Sequence, residues 1–105
     1  MKIILAVLLL FTLNVKPAVS EYRNFTATAY TIKGKTASGT RTRRGIIAAD
    51  PKILPLGTKV HIEGQGVFVV ADTGGAIKGN RIDIWVSSPQ EAKKFGRRKV
   101  RLRVI

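Results

Sequence analysis

The chain of 105 residues has no cysteine, one histidine, one tryptophan and only six acidic residues. Each shortage excludes something. Without cysteine no disulfide can staple the fold, although small exported domains often depend on them, so stability must come from sheet packing. One histidine and no cysteine leave few soft metal ligands, and the three Asp and three Glu show no calcium-loop spacing. Neither a metal nor any other cofactor is expected. The acids face 19 Lys and Arg, a formal net charge of +13. Such an imbalance points to an anionic polymer or surface as partner. The glycine-rich stretch Thr73-Gly74-Gly75 lacks the spacing of the phosphate-cradling loops and no helix follows it, which excludes nucleotide binding.

Long hydrophobic runs are also scarce. Lys2, the apolar run from Ile3 to Leu13 and the triplet Ala18-Val19-Ser20 read as a secretory signal over residues 1–20. The run falls short of the roughly 20 apolar residues that span a membrane, so no stable membrane anchor is expected after cleavage. Residues 21–105 then form one small domain, with a net charge of +11 once Lys2 and Lys16 are gone.

Within that domain the hydrophobic period is mostly two. Phe25 to Tyr30, Val60 to Glu63 and Val100 to Val104 alternate apolar and polar residues, as half-buried strands do. Ile46 to Ala49 and Val67 to Ala71 are continuously apolar, as strands buried on both faces are. Both runs end in Ala-Asp, a faint echo of two related halves. One short helix is signalled by Ser88 as cap, Pro89 at the first position, Glu91 completing a capping box and Gly96 as terminator. The fold class is mostly β with one short helix.

The aspartates Asp50, Asp72 and Asp83 stand at strand ends or inside a strand, unlike solubilising surface acids. Asp50 precedes Pro51, where an Asp can simply initiate a turn. Asp72 precedes Thr73-Gly74-Gly75, which suits either an Asx turn or close approach of a ligand to the backbone. Asp83 interrupts the strand Arg81 to Val86, a position where Asp is disfavoured and something must compensate. Period two places Arg81, Asp83 and Trp85 on one face and Ile82, Ile84 and Val86 on the other. A carboxylate beside an aromatic ring suits a sugar groove; an Arg-Asp surface pair is the bland alternative. Trp85 can stack on a sugar or simply pack in the core. His61, alternating with Val60 and Ile62, reads as an exposed strand residue.

Taken together, Ala29-Tyr30, Thr36-Ala37-Ser38-Gly39, Ala49-Asp50-Pro51, Pro55-Leu56-Gly57-Thr58, the run Ala71 to Asp83 and Phe95-Gly96 resemble the 3D domain, named for three aspartates. That domain occurs in bacterial stationary-phase survival proteins and at the C-terminus of membrane-bound lytic transglycosylase A. The resemblance implies a double-psi β-barrel that cleaves peptidoglycan between N-acetylmuramic acid and N-acetylglucosamine, leaving 1,6-anhydro ends. It implies Asp83 as the catalytic acid, with Asp72 and Asp50 brought to the same groove. By matched position it implies that Tyr30, Thr36 and Lys78 line that groove, with Trp85 as a candidate stacking surface.

The partners implied are peptidoglycan glycan strands in the cell wall or periplasm. Arg41, Arg43, Arg44, Arg97, Arg98, Lys99, Arg101 and Arg103 form basic clusters suited either to anionic wall polymers or to plain solvation. No nucleic acid is expected, because aromatic residues are not interleaved with the basic ones and no nucleic-acid-reading motif is present. A non-catalytic wall-binding or wall-loosening barrel, and a basic binder of anionic polymers, are the competing readings.

Overall fold

The structure is a computed structural model that describes residues 21–105; the expected signal, residues 1–20, lies outside them. Six strands and one helix follow in the order β1 (Arg23–Tyr30), β2 (Ile46–Ala49), β3 (Lys59–Ile62), β4 (Gly66–Asp72), β5 (Arg81–Trp85), α1 (Pro89–Phe95) and β6 (Arg98–Val104). The strands close into a barrel in the spatial order β1-β5-β2-β4-β3-β6. β1 and β5 run parallel, as do β2 and β4, while the other neighbours are antiparallel. A closed mostly β barrel with one short helix is the fold class expected, and its crossed connections fit the double-psi pattern.

Alternation along the strands explains which side faces inward. Phe25, Ala27, Ile47, Ala49, Val60, Ile62, Val70, Ile82, Ile84, Val100 and Leu102 fill the barrel, each nearly or fully inaccessible. Full burial of one such large aliphatic side chain stabilises by about 1.5–3 kcal/mol. A smaller cluster of Ile46, Ala71 and Trp85 packs on the opposite faces of the same strands, with Tyr30 and Val69 against it. β2 is therefore covered on both faces, as its apolar run predicts. β4 is not: Val67 at its start is 58% exposed, and burial becomes complete only at Val70 and Ala71. Its outer face gains cover only where Val69 and Ala71 join the smaller cluster, while Phe68 packs against the main core.

The helix begins where the sequence places it. Ser88 Oγ accepts the Glu91 amide at 3.2 Å, Pro89 follows, and Gly96 closes the helix at φ +67°. Only half of the capping box forms. Glu91 turns away to receive the Arg44 guanidinium at 2.7 and 3.0 Å, because that fork offers a charged partner. His61 also departs from expectation. It is half-buried, with Nδ1 hydrogen-bonded to the Tyr22 hydroxyl at 2.7 Å and the two rings edge to face.

One irregularity decides what the barrel displays. In the parallel pair of β2 with β4, Ile46 pairs with Val69 and Ile47 with Val70, but Ala48 pairs with Asp72. The register slips by one residue between Ile47 and Ala48, a β-bulge. Without it Asp72 would face Ala49, whose side chain is in the core. The bulge turns the carboxylate outward instead.

Candidate active site

β2 lies between β4 and β5, so Ala48 has a neighbour on each side: Asp72 in β4 and Asp83 in β5. Laterally paired residues share a sheet face, which places both carboxylates on the outside of the barrel. Two strand spacings separate their Cα atoms, about 10 Å. Ala48 presents only a methyl group between them, and all three line a hollow of about 260 Å³. Tyr30, Gly34, Thr42 and Ile77 contribute further wall to the same hollow. The link from β4 to β5 is thus a crossover passing the end of β2, and it carries the two acids to one opening.

Asp83 is half-buried, and burial raises its carboxyl above the usual carboxylate range. The Thr28 hydroxyl, donating to Oδ1 at 3.0 Å, and the Arg81 guanidinium oppose that shift; the Asp72 charge adds to it. Burial outweighs the opposition. Among the described residues Oδ2 makes no hydrogen bond, so one oxygen is held while the other is left to the hollow. Arg81 shares this face two residues earlier, and its buried Nε has no hydrogen-bond partner among the described residues.

Asp72 is held differently. Its Oδ1 accepts the backbone amides of Ala37 at 3.0 Å and Thr73 at 2.9 Å, and its Oδ2 accepts the Tyr30 hydroxyl at 3.1 Å. Burial first, then the nearby Asp72, push the Tyr30 hydroxyl well above its ordinary pKa, so it stays a protonated donor. Asp72 therefore fixes the wall of the hollow, tying the 31–42 loop and Tyr30 to the end of β4.

Of the other residues singled out in the sequence, four stand elsewhere. Asp50 is buried, with Oδ1 on the Lys52 amide at 3.0 Å and Oδ2 on the Gly79 amide at 2.9 Å. Those two amides hold its carboxyl below the usual range. It clamps the crossover to the end of β2 and does not line the hollow. Lys78 is exposed beside that clamp, where its charge acts on Asp50. Thr36 is 5% exposed and its hydroxyl donates to the Thr40 carbonyl at 2.8 Å, so it shapes a turn behind the wall. Trp85 is 8% exposed and its indole Nε1 donates to the Ile32 carbonyl at 2.9 Å. A ring packed and hydrogen-bonded in this way holds the loop, and it is not part of the lining of the hollow.

Thr28 and Ala48 were not singled out in the sequence. Thr28 belongs to the outward set Thr26, Thr28 and Tyr30 of an alternating strand, which was visible, but its parallel pairing with Asp83 was not. Among the described residues no group of three or more His, Cys, Asp and Glu side chains is placed to hold a metal ion. No helix among them is long and apolar enough to cross a membrane.

YocH of Bacillus subtilis (strain 168), described as a cell wall-binding protein, is 46% identical over 95 residues, covering 82% of this chain and 33% of YocH. The crystal structure of MltA from Escherichia coli, described as revealing a unique lytic transglycosylase fold, matches with a TM-score of 0.58 at 28% identity. It covers 70% of this chain and 27% of MltA. A crystal structure of MltA with bound chitohexaose matches with the same TM-score at 27% identity, covering 70% of this chain and 28% of that one. The chain thus spans about a third of YocH and little more than a quarter of MltA. The 3D domain profile matches residues 45–105, a span that contains Asp50, Asp72 and Asp83. The chain belongs to the 3D domain family.

Proposed function

We propose that this barrel is a wall-directed lytic transglycosylase module in which Asp83 is the single acid and base. The observation that carries the reading is a half-buried carboxyl, its proton affinity raised mainly by burial, with a free oxygen at an open hollow. Protonated Asp83 donates to the glycosidic oxygen between N-acetylmuramic acid and N-acetylglucosamine, and the bond to C1 breaks. The carboxylate left behind then accepts the proton of the muramyl 6-hydroxyl as that oxygen bonds to C1. A 1,6-anhydro end forms, no water is consumed, and Asp83 regains its proton.

One carboxylate suffices for this route, whereas hydrolysis ordinarily employs two. Asp72, held by three donors, supports the one-acid scheme because those bonds commit it to the wall of the hollow. Its charge favours protonated Asp83, and Thr28 fixes the oxygen that does not transfer the proton. Peptidoglycan is the proposed substrate and the cell wall or periplasm the proposed site of action, in keeping with the description of YocH and the glycan bound to MltA. Mass spectrometry of digested peptidoglycan tests the scheme: 1,6-anhydro ends support it, and reducing ends or intact strands reject it. The similarity to a protein described as cell wall-binding favours a second reading, a barrel that grips glycan without cutting it. Glycan binding without product, unchanged in Asp83→Asn, marks that outcome.

A further inference from the structure

The eight arginines and lysines that form clusters in the sequence do not form one surface. Arg44 is engaged by Glu91 and Ser87, and Arg98 lies over the Phe95 ring at 4.0 Å while its Nε donates to the Phe95 carbonyl at 3.1 Å. The outer face of β6 is different. There Lys99, Arg101 and Arg103 alternate with the buried Val100 and Leu102, so three cations point outward in a row. Along a strand such positions repeat about every 6.7 Å. Antiparallel β3 extends the row sideways, with His61 opposite Arg103. On the other flank the neutral Asn24 and Thr26 of β1 stand opposite Arg101 and Lys99. Glu63 reaches this face as an ion pair with the Nε of Arg101 at 3.2 Å, both side chains being more than half exposed.

The row is also organised. Arg101 and Arg103 both pack on Tyr22, with guanidinium carbons 5.0 and 5.4 Å from the ring centroid, and Tyr22 is in turn fixed by His61. Two flexible forks are thereby preoriented side by side, an arrangement that ordinary solvation does not require and that mutual repulsion disfavours. We propose that the outer face of β6 is a binding track for a phosphodiester polymer of the polyol phosphate type, gripped by Lys99, Arg101 and Arg103 and steadied by Tyr22. A short polyol phosphate repeat carries one charge at a spacing comparable to that of the row, and planar guanidinium forks match phosphate oxygens. Nucleic acid fits less well, because the ring at the centre of the track is occupied by guanidinia and is not open for base stacking. The track lies on a different face from the Asp72–Asp83 hollow, so it adds a polymer contact to the barrel whatever chemistry Asp83 performs.

Equilibrium binding of the purified chain to poly(glycerol phosphate), across a salt series, tests the track. K99Q/R101Q/R103Q is expected to weaken binding at least about tenfold and to flatten the salt dependence by about two to three units of log–log slope. R41Q/R43Q/R97Q, which removes the same charge from other exposed positions, is expected to stay within about twofold. Tyr22→Ala, which removes no charge, is expected to weaken binding by freeing the two forks. Equal loss in both triple variants overturns the proposal, because net charge alone then explains binding. Binding of polygalacturonate or single-stranded DNA as tight as that of the phosphate polymer overturns the assigned partner. Asp83→Asn is expected to bind the polymer like the parent chain, so a failure of the cleavage reading and a failure of the track are read separately.

Discussion

The Thr28 hydroxyl donates to Asp83 Oδ1 at 3.0 Å across the parallel β1–β5 pair, and it opposes the effect of burial on that carboxyl. A hydrogen bond to the ionised form favours ionisation, so its removal must raise the proton affinity of Asp83 further. Thr28→Val keeps the shape of the side chain and deletes the donor. The proposed acid has to be protonated to act, so the alkaline limb of kcat/KM for glycan cleavage is expected to move to higher pH in this variant. An unmoved or downshifted limb rejects Asp83 as the titrating acid.

Asp83→Asn separates chemistry from folding. Loss of the acid is expected to lower release of anhydro ends by roughly 10²–10⁴-fold, the usual contribution of a positioned general acid. Stability should move the other way. The folded carboxyl binds its proton more tightly than the unfolded one, so its favourable contribution is complete below the unfolded pKa and is lost as pH rises through the folded value. As pH rises through the folded value the parent chain takes on a partly desolvated charge that the variant lacks. Thermal unfolding is expected to show the Tm of Asp83→Asn gaining on that of the parent chain as pH rises through that value. A Tm difference that stays constant or shrinks over that rise contradicts the burial assigned to Asp83.

Local signals in the sequence carried the elements, and long-range pairing carried the site. The cap at Ser88, the stop at Gly96 and the buried run of β2 depend on residues within a turn or a strand of one another, so they were legible. The face on which Asp72 emerges depends on a one-residue slip against β2, which no periodicity within β4 reveals. The role of Asp50 depends on an amide 29 residues later, and that of Trp85 on a carbonyl 53 residues earlier. Both read as site residues because strand-end acids and lone aromatics often are; the structure adds that Asp50 binds the amides of Lys52 and Gly79 and that Trp85 binds the Ile32 carbonyl.

Ala48 keeps the hollow open. Its methyl group is all that stands between the positions of Asp72 and Asp83, and the residue is 3% exposed. Ala48→Leu is expected to fill the hollow and to raise KM for glycan strands at least about tenfold, since about 1.4 kcal/mol of lost binding corresponds to that factor. Overpacking of this kind typically costs about 1–3 kcal/mol of stability, so the variant should fold with a reduced Tm. Unchanged KM in a folded Ala48→Leu protein places glycan binding elsewhere on the barrel.

Ile82 tests the barrel itself. It is fully buried between the neighbours Ala27 and Ala49, one residue before the candidate acid. Ile82→Ala leaves a cavity that neighbouring alanines cannot fill, and a loss of about 2–5 kcal/mol is expected in denaturant unfolding. Without disulfides to hold the remaining contacts, activity and fold should fall together across the same transition.

Asp50 closes the set, because its carboxylate joins the end of β2 to the crossover without touching the hollow. Its folded pKa is depressed, so the stability it contributes is present above the unfolded value near 4 and is lost as pH falls through the folded value. Asp50→Asn retains one acceptor oxygen for two amides, leaving either Lys52 or Gly79 without its carboxylate partner. The variant is expected to show a lower Tm at neutral pH, with the gap to the parent chain narrowing as the solution is acidified below about pH 4. Released product per folded molecule should stay near the parent value, because the opening between Asp72 and Asp83 is built by other contacts. Calorimetry across pH together with the product assay checks both statements. Loss of turnover in a chain that remains folded would return Asp50 to the reacting groups.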